Sequence, residues 1–376
     1  MASAESNKQA ASSLAGEKDV QNIIAQGKRA LEYATNRQEI PADFVKAMEK
    51  IINRSFPLPQ TAATNAAKSD LSTVGLALCN ASITFSPILT ALDTNKQIAQ
   101  TNIRTQAALL RVYGFFLRDA SRPRSGREKS PQNKMNIFEE AVRTVWRCFA
   151  SDNLALAQTV LERCAVYVDQ DDTTTPIMRL APTSGTSPLP VIQKNKLQYN
   201  LLRIAAGSRQ ENDACEDFFY SKLDQHVLTR CPELAKQAAT VFYEVANRHY
   251  RIQNWKTSKT WSERAIDALN VRDSLVPSSF FDQKLRIRIT RLLVLTMLSF
   301  DDEKQRLLAS SLVTSLDHEC GVGNCMLILK LRFEVCVARK PVDLDEFQGL
   351  LDQVTVATNV SDHTFVMYFC SLKLEE

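Results

Sequence analysis

The residues with most capacity for chemistry are four histidines and nine cysteines, and their spacing is poor for it. His318, Cys320 and Cys325 place three potential metal ligands close together, and His226 and Cys231 place two. A structural zinc site needs four ligands at compatible spacing, so both groups read more simply as helix-end residues of a reduced protein. No histidine (His226, His249, His318 or His363) sits in a nucleophile or triad motif. Gly321-Val322-Gly323 lacks the later glycine and lysine of a phosphate-binding loop. An enzyme hidden in this chain would need a pocket that brings together groups such as His226, His318 and Glu334, and no spacing predicts one. The expectation is therefore a non-enzymatic protein with no cofactor and no bound metal.

Recognition chemistry is better represented. Residues 242–265, FYEVANRHYRIQNWKTSKTWSERA, carry large, small and aromatic residues at the spacings of a tetratricopeptide (TPR) helix–turn–helix of about 34 residues. Phe242 takes the early large position, Val245 and Ala246 the Leu–Gly pair, and His249 and Tyr250 the end of the first helix. Trp255 opens the second helix, and Ser258 and Ala265 fall on its small positions. In an array of such pairs the first helices line a groove that holds a partner helix or extended segment. Arg248, near the solvent-facing side of its helix, is the first candidate contact. Tyr250, Trp255 and Trp261 are further candidates, although aromatic residues at this spacing are more often interior packing.

These residues need helices to position them, and the chain supplies little else. Only 10 glycines are present, against about 26 at an average usage of about 7%, which disfavours glycine-rich nucleotide folds and many-stranded sheets. Nearly all 13 prolines fall in breaks between helical patterns. Residues 1–17 read as a disordered tail and 18–120 as an N-terminal helical region, with Pro41 in a first helical turn. A basic exposed linker spans 121–134, with Arg122, Arg124, Arg127, Lys129 and Lys134. TPR-like repeats fill 135–376, apart from a loop near 169–192. Within them, Asp152 is the expected N-cap of the helix that ends near Val168. Further pairs are expected at 285–316 and 325–354, with a lone helix from about Ser361. That unpaired last helix suggests the N-terminal part of a longer protein or a truncated gene product. The fold class is all-α: a TPR-like helical-repeat superhelix, or α-solenoid, of antiparallel helix pairs.

Bulk properties add exclusions. The net charge of +4, from 46 basic and 42 acidic residues, is too mild for direct nucleic-acid binding to be expected. The longest apolar run, Leu292 to Phe300, is about half of what a membrane helix requires. The basic linker with its Ser130-Pro131 step is a candidate import signal or phosphate-contacting tether, although a solvated loop is the simpler reading.

With those residues set out, the chain from about 70 to 376 resembles the eukaryotic meiotic scaffold family called Zip-four or Spo-twenty-two. Leu71–Asn80 (LSTVGLALCN) is similar to the family's early Gly-then-Leu-Trp-Asn segment, with Cys79 in place of the tryptophan. Phe218–Lys222 (FFYSK) resembles an aromatic helix ending in a lysine turn, and Glu233–Leu269 resembles a small-residue helix followed by a tryptophan helix. The resemblance implies a nuclear protein on meiotic chromosomes. Such a protein joins synapsis-initiation or crossover factors and so promotes crossover recombination. The alternative is a generic intracellular TPR adaptor of a chaperone, trafficking or degradation complex.

Overall fold

The computed structural model describes residues 2–56, 64–85, 96–122, 131–169, 191–273, 280–300, 302–320, 325–338 and 342–357. Every regular element among them is an α-helix, and none is long and apolar enough to cross a membrane. The chain divides into two compact units, residues 1–210 and 211–376. The division falls in neither expected linker; residues 123–130 and 170–190 of those linkers, and the lone helix expected after Ser361, lie outside the described residues.

The first unit contains α1 (Ala2–Thr35), α2 (Ala42–Ser55), α3 (Asn65–Thr84), α4 (Lys96–Ala120), α5 (Pro131–Ala150), α6 (Leu154–Asp169) and α7 (Val191–Arg209). Residues 2–17, expected as a tail, continue the backbone of α1; their content of Ala, Glu, Gln and Lys is that of good helix formers. The centre of the unit is the α3–α4 hairpin, with α1 lying against both helices. Gly75 and Gly114 let the two backbones almost touch. A Cβ on Gly75 would stand 2.8 Å from the Gly114 carbonyl oxygen, and one on Gly114 would stand 2.7 Å from the Gly75 oxygen. The same approach explains the small side chain at Cys79. Its Sγ would be 2.9 Å from a Gly114 Cβ and donates to Glu140 at 3.1 Å, so α4 fits over a small side chain there. Gln106 fastens the α1–α2 connection by pairing with both backbone groups of Ile40, as a neighbouring strand would.

The second unit contains α8 (Asp213–Ser221), the single turn α9 (Gln225–Leu228), α10 (Pro232–Arg251), α11 (Trp255–Asp273), α12 (Phe280–Leu298), α13 (Glu303–Cys320), α14 (Cys325–Ala338) and α15 (Leu344–Ala357). From α10 onward each helix packs on the next. Among the described residues, α10, α12 and α14 also pack on their next-but-one neighbours, whereas α11, α13 and α15 make no comparable contact among themselves. The helices α10, α12 and α14 therefore form the inner layer of this unit. Apolar burial joins the layers: Ile287, Val294 and Met297 of α12 share a core with Val313 and Leu316 of α13 and Leu331 and Val335 of α14.

One turn recurs. Asp152, Glu211 and Gln253 each adopt positive φ (55°, 54° and 60°) and each precedes an asparagine. That asparagine's Oδ1 accepts a backbone N–H of the following helix: Leu156 on Asn153 (3.1 Å), Cys215 on Asn212 (3.0 Å) and Thr257 on Asn254 (3.4 Å). After α5 and α10 the asparagine's own N–H also closes the preceding helix, on the carbonyls of Cys148 and His249 at 2.9 Å. This corrects the expected cap: Asn153 caps α6, and Asp152 supplies the left-handed turn that lets it do so.

Candidate functional site

The densest polar cluster of the second unit joins α8 to α10 and α11. Asp213, Glu216, Asp217 and Tyr220 recur at i, i+3, i+4 and i+7, so α8 presents them along one face. Asn212 caps α8 at its N-terminus, and Lys222 ends it with its Nζ 4.0 Å over the Phe218 ring.

At the first end of that face, Arg248 Nη2 donates to Asp213 Oδ1 at 2.5 Å and to both Glu216 oxygens at 3.0 Å. His249 Nε2 lies 2.8 Å from the same guanidinium nitrogen and 3.2 Å from Glu216 Oε2. Glu216 and His249 are sealed from solvent, at 1% and 0% exposure. Burial pulls the Arg248 pKa down, but its hydrogen bond to Asp213 and the charges of Glu216 and Asp213 hold it above the ordinary arginine value. A buried carboxylate of this kind is tolerable only with a counter-charge in hydrogen-bonding contact. The cluster remains imperfect, because His249 Nδ1 and Arg248 Nε are shut from water without a partner.

Asp213, Glu216 and His249 have ligand atoms close enough to share a cation. The chain's own guanidinium, however, already bonds both carboxylates and abuts the imidazole. A metal ion would have to displace Arg248 or stand against its positive charge. The arrangement is an internal clamp, and the donor set does not fit a metal.

At the other end of the face, Arg264 of α11 lies over the Tyr220 ring at 3.6 Å and the Trp261 ring at 4.4 Å. Its contact with Asp217, at 3.6 Å, is to a carboxylate 68% exposed, so cation–π stacking is the stronger attachment. Trp261 also meets Tyr220 and Phe242 at centroid distances of 5.3 and 5.4 Å.

The structure thus places the four expected contact residues in three settings. Arg248 turns inward, with a side chain 15% exposed, toward α8 instead of toward solvent. Trp261 is interior at 1% exposure. Tyr250 and Trp255 are half-buried, packed edge to face at 5.1 Å across the α10–α11 turn. The positions assigned to small residues, Ala246, Ser258 and Ala265, are fully buried, and Ser258 Oγ meets Thr296 Oγ1 of α12 at 3.1 Å. Of the two His/Cys groups weighed above, His226 and Cys231 stand near the start of α9 and at the cap of α10. Residues 321–324, in the spacer of the other group, lie outside the described residues. The Asp213–Glu216–His249 grouping carries no sequence signal of its own, since His249 lies 33 residues beyond Glu216.

The class of the second unit is a stack of consecutive α-helices with an inner layer and an internal electrostatic clamp. Residues 208–374 match the family model described as "Meiosis protein SPO22/ZIP4 like", the family that the sequence resembles. Neither curated proteins nor solved structures give a match.

Proposed function

We propose that this protein is a non-enzymatic, TPR-like interaction scaffold acting in meiotic chromosome synapsis and crossover recombination in the nucleus. The observation that carries the proposal is the family match over residues 208–374, which coincides with the second compact unit, 211–376. The helix stack supports the scaffold part of the reading. An inner layer of α10, α12 and α14 is the surface on which such arrays hold partner segments. The grouping around His249 is bonded by Arg248, which makes it an internal contact between helices.

The test is deletion of the gene followed by scoring of synapsis and crossovers in meiotic cells, with vegetative growth measured in parallel. The proposal expects reduced synapsis and fewer crossovers with normal growth. Normal meiosis, or a defect confined to vegetative cells, would overturn it.

A further inference from the structure

We propose that Ser299, in the connection between α12 and α13, is a phosphorylation site for an acidophilic serine kinase that takes its phosphate from ATP. The site stands independently of the meiotic reading.

The sequence at the connection reads Ser299-Phe-Asp-Asp-Glu. Ser299 is exposed one residue beyond the end of α12, and its hydroxyl donates to the carbonyl of Leu295 at 2.9 Å. Asp302 is exposed, and the Glu303 side chain is 63% exposed. A kinase that selects acidic substrates reads carboxylates beyond the acceptor hydroxyl with bases in its own cleft, and that charge pattern sets its specificity. It reads them along extended chain, where the third residue on is about 10 Å away; along a helix axis the same step is about 5 Å.

Among the described residues, six hydroxyl side chains have an acid three positions on: Thr159, Ser208, Ser221, Thr260, Ser299 and Thr314. Ser299 alone of these lies outside a helix. Thr159, Thr260 and Thr314 are inside α6, α11 and α13, and Ser208 is buried. Ser221 closes α8 and is followed directly by Lys222, a charge of the wrong sign. The connection at Ser299 is lightly held. The N–H groups of Ser299 and Phe300 bond Leu295 and Met297 at 3.2 Å, and Phe300 is 37% exposed. Presenting this stretch as extended chain therefore breaks few contacts.

In the transfer, the bond from the bridging oxygen to the γ-phosphorus of ATP breaks and one from Ser299 Oγ to that phosphorus forms. The hydroxyl proton passes to the kinase's base, and ADP leaves. The new phosphate stands at the C-terminal end of α12, where helix carbonyls carry partial negative charge. It also precedes Asp302, whose Oδ1 accepts the Lys304 N–H at 3.2 Å and so begins α13. Like charges here loosen the connection, while the apolar core shared by α12 and α13 keeps the two helices together. Modification thus acts on the middle helix of the inner layer from its end.

The experiment incubates the full chain with ATP and casein kinase two, an acidophilic serine kinase, and locates phosphate by peptide mass spectrometry. Ser299 should be modified. Asp302→Asn combined with Glu303→Gln should slow that modification about tenfold. Glu263→Gln combined with Asp267→Asn, the same charge change on exposed residues of α11, should leave it unaltered. Circular dichroism checks that both paired variants are folded. The modified chain should melt a few degrees below the unmodified one, and Ser299→Ala given the same treatment should show no shift. An unmodified Ser299, equal rates in the two paired variants, or an unchanged melting temperature after modification overturns the inference.

Discussion

Glu216 on α8 and His249 on α10 approach to 3.2 Å with neither side chain reaching solvent, and the guanidinium of Arg248 lies against both. This three-way contact fastens the short helix α8 to the hairpin formed by α10 and α11. It also creates a dependence: each member is buried on the condition that the others remain.

Arg248→Ala should therefore lower the stability of the chain by about 3–5 kcal/mol, because it leaves Glu216 buried without a counter-charge. Urea unfolding measures the loss. In a Glu216→Ala background the same substitution should cost far less. Additive effects of the two changes would show that the clamp does not act as a unit.

The two ends of glycine behaviour are separable. Gly75→Ala and Gly114→Ala each press a methyl group onto backbone within 2.8 Å and should destabilise by about 1–3 kcal/mol. Gly349→Ala, in α15, meets nothing within 4 Å and should stabilise by up to about 1 kcal/mol through helix propensity alone. Thermal melts of the three variants check the opposite signs.

Turn chemistry predicts a second pair of opposite effects. Asn254→Ala removes the cap on Thr257 and should cost about 1 kcal/mol. Gln253→Gly relieves a non-glycine residue at φ 60° and should gain up to about 1 kcal/mol. Unfolding midpoints of both variants measure this; a loss in Gln253→Gly would mean that its side chain has a role the backbone does not reveal.

The buried thiols of the first unit should be inert. Burial is the main cause that pushes Cys79, Cys148 and Cys164 up to about 12, with the Glu140 charge adding to it at Cys79 and the Asp119 charge at Cys164. At pH 8 iodoacetamide should label the half-buried Cys215 and Cys231 well before these three, as read by peptide mass spectrometry. A thiol with a raised native pKa keeps its proton where the unfolded thiol has released it. The contribution is thus intact below about 9.0 and declines as pH rises toward about 12. Urea midpoints at pH 8 and pH 10 should differ in that direction.

Aromatic residues offer the last test. Trp261→Ala opens a cavity beside Phe242 and Tyr220 and should cost about 3–5 kcal/mol. Half-buried Tyr250 and Trp255 should cost less. If these two contact a partner, Tyr250→Ala and Trp255→Ala will reduce partner recovery from meiotic cells at concentrations where the chain stays folded by circular dichroism.

Much of the α10–α11 hairpin was legible in the sequence because size and period encode it locally. Ala246, Ser258 and Ala265 had to be small, and Phe242 large, for two helices to approach, and all four are buried. The clamp was not legible, since nothing in a linear sequence pairs Asp213 and Glu216 with a base about 33 residues away. Helical period alone points Arg248 toward solvent. Aspartate and asparagine both serve as caps, so Asp152 and Asn153 are equivalent by type; only the backbone angle tells which of the two makes the turn.

The recurrent asparagine turns have a mechanical consequence. A hairpin whose bend is fixed by backbone and cap hydrogen bonds resists opening, whereas the joint from α11 to α12 is held by side chains: Ser258 with Thr296, Arg286 with Asn270 and Asp273, and apolar packing. Tension applied along the second unit would be taken up at the α11–α12 joint before the α10–α11 hairpin unbent. The unit would lengthen as a spring of stiff segments, keeping each recognition surface intact while its curvature changed.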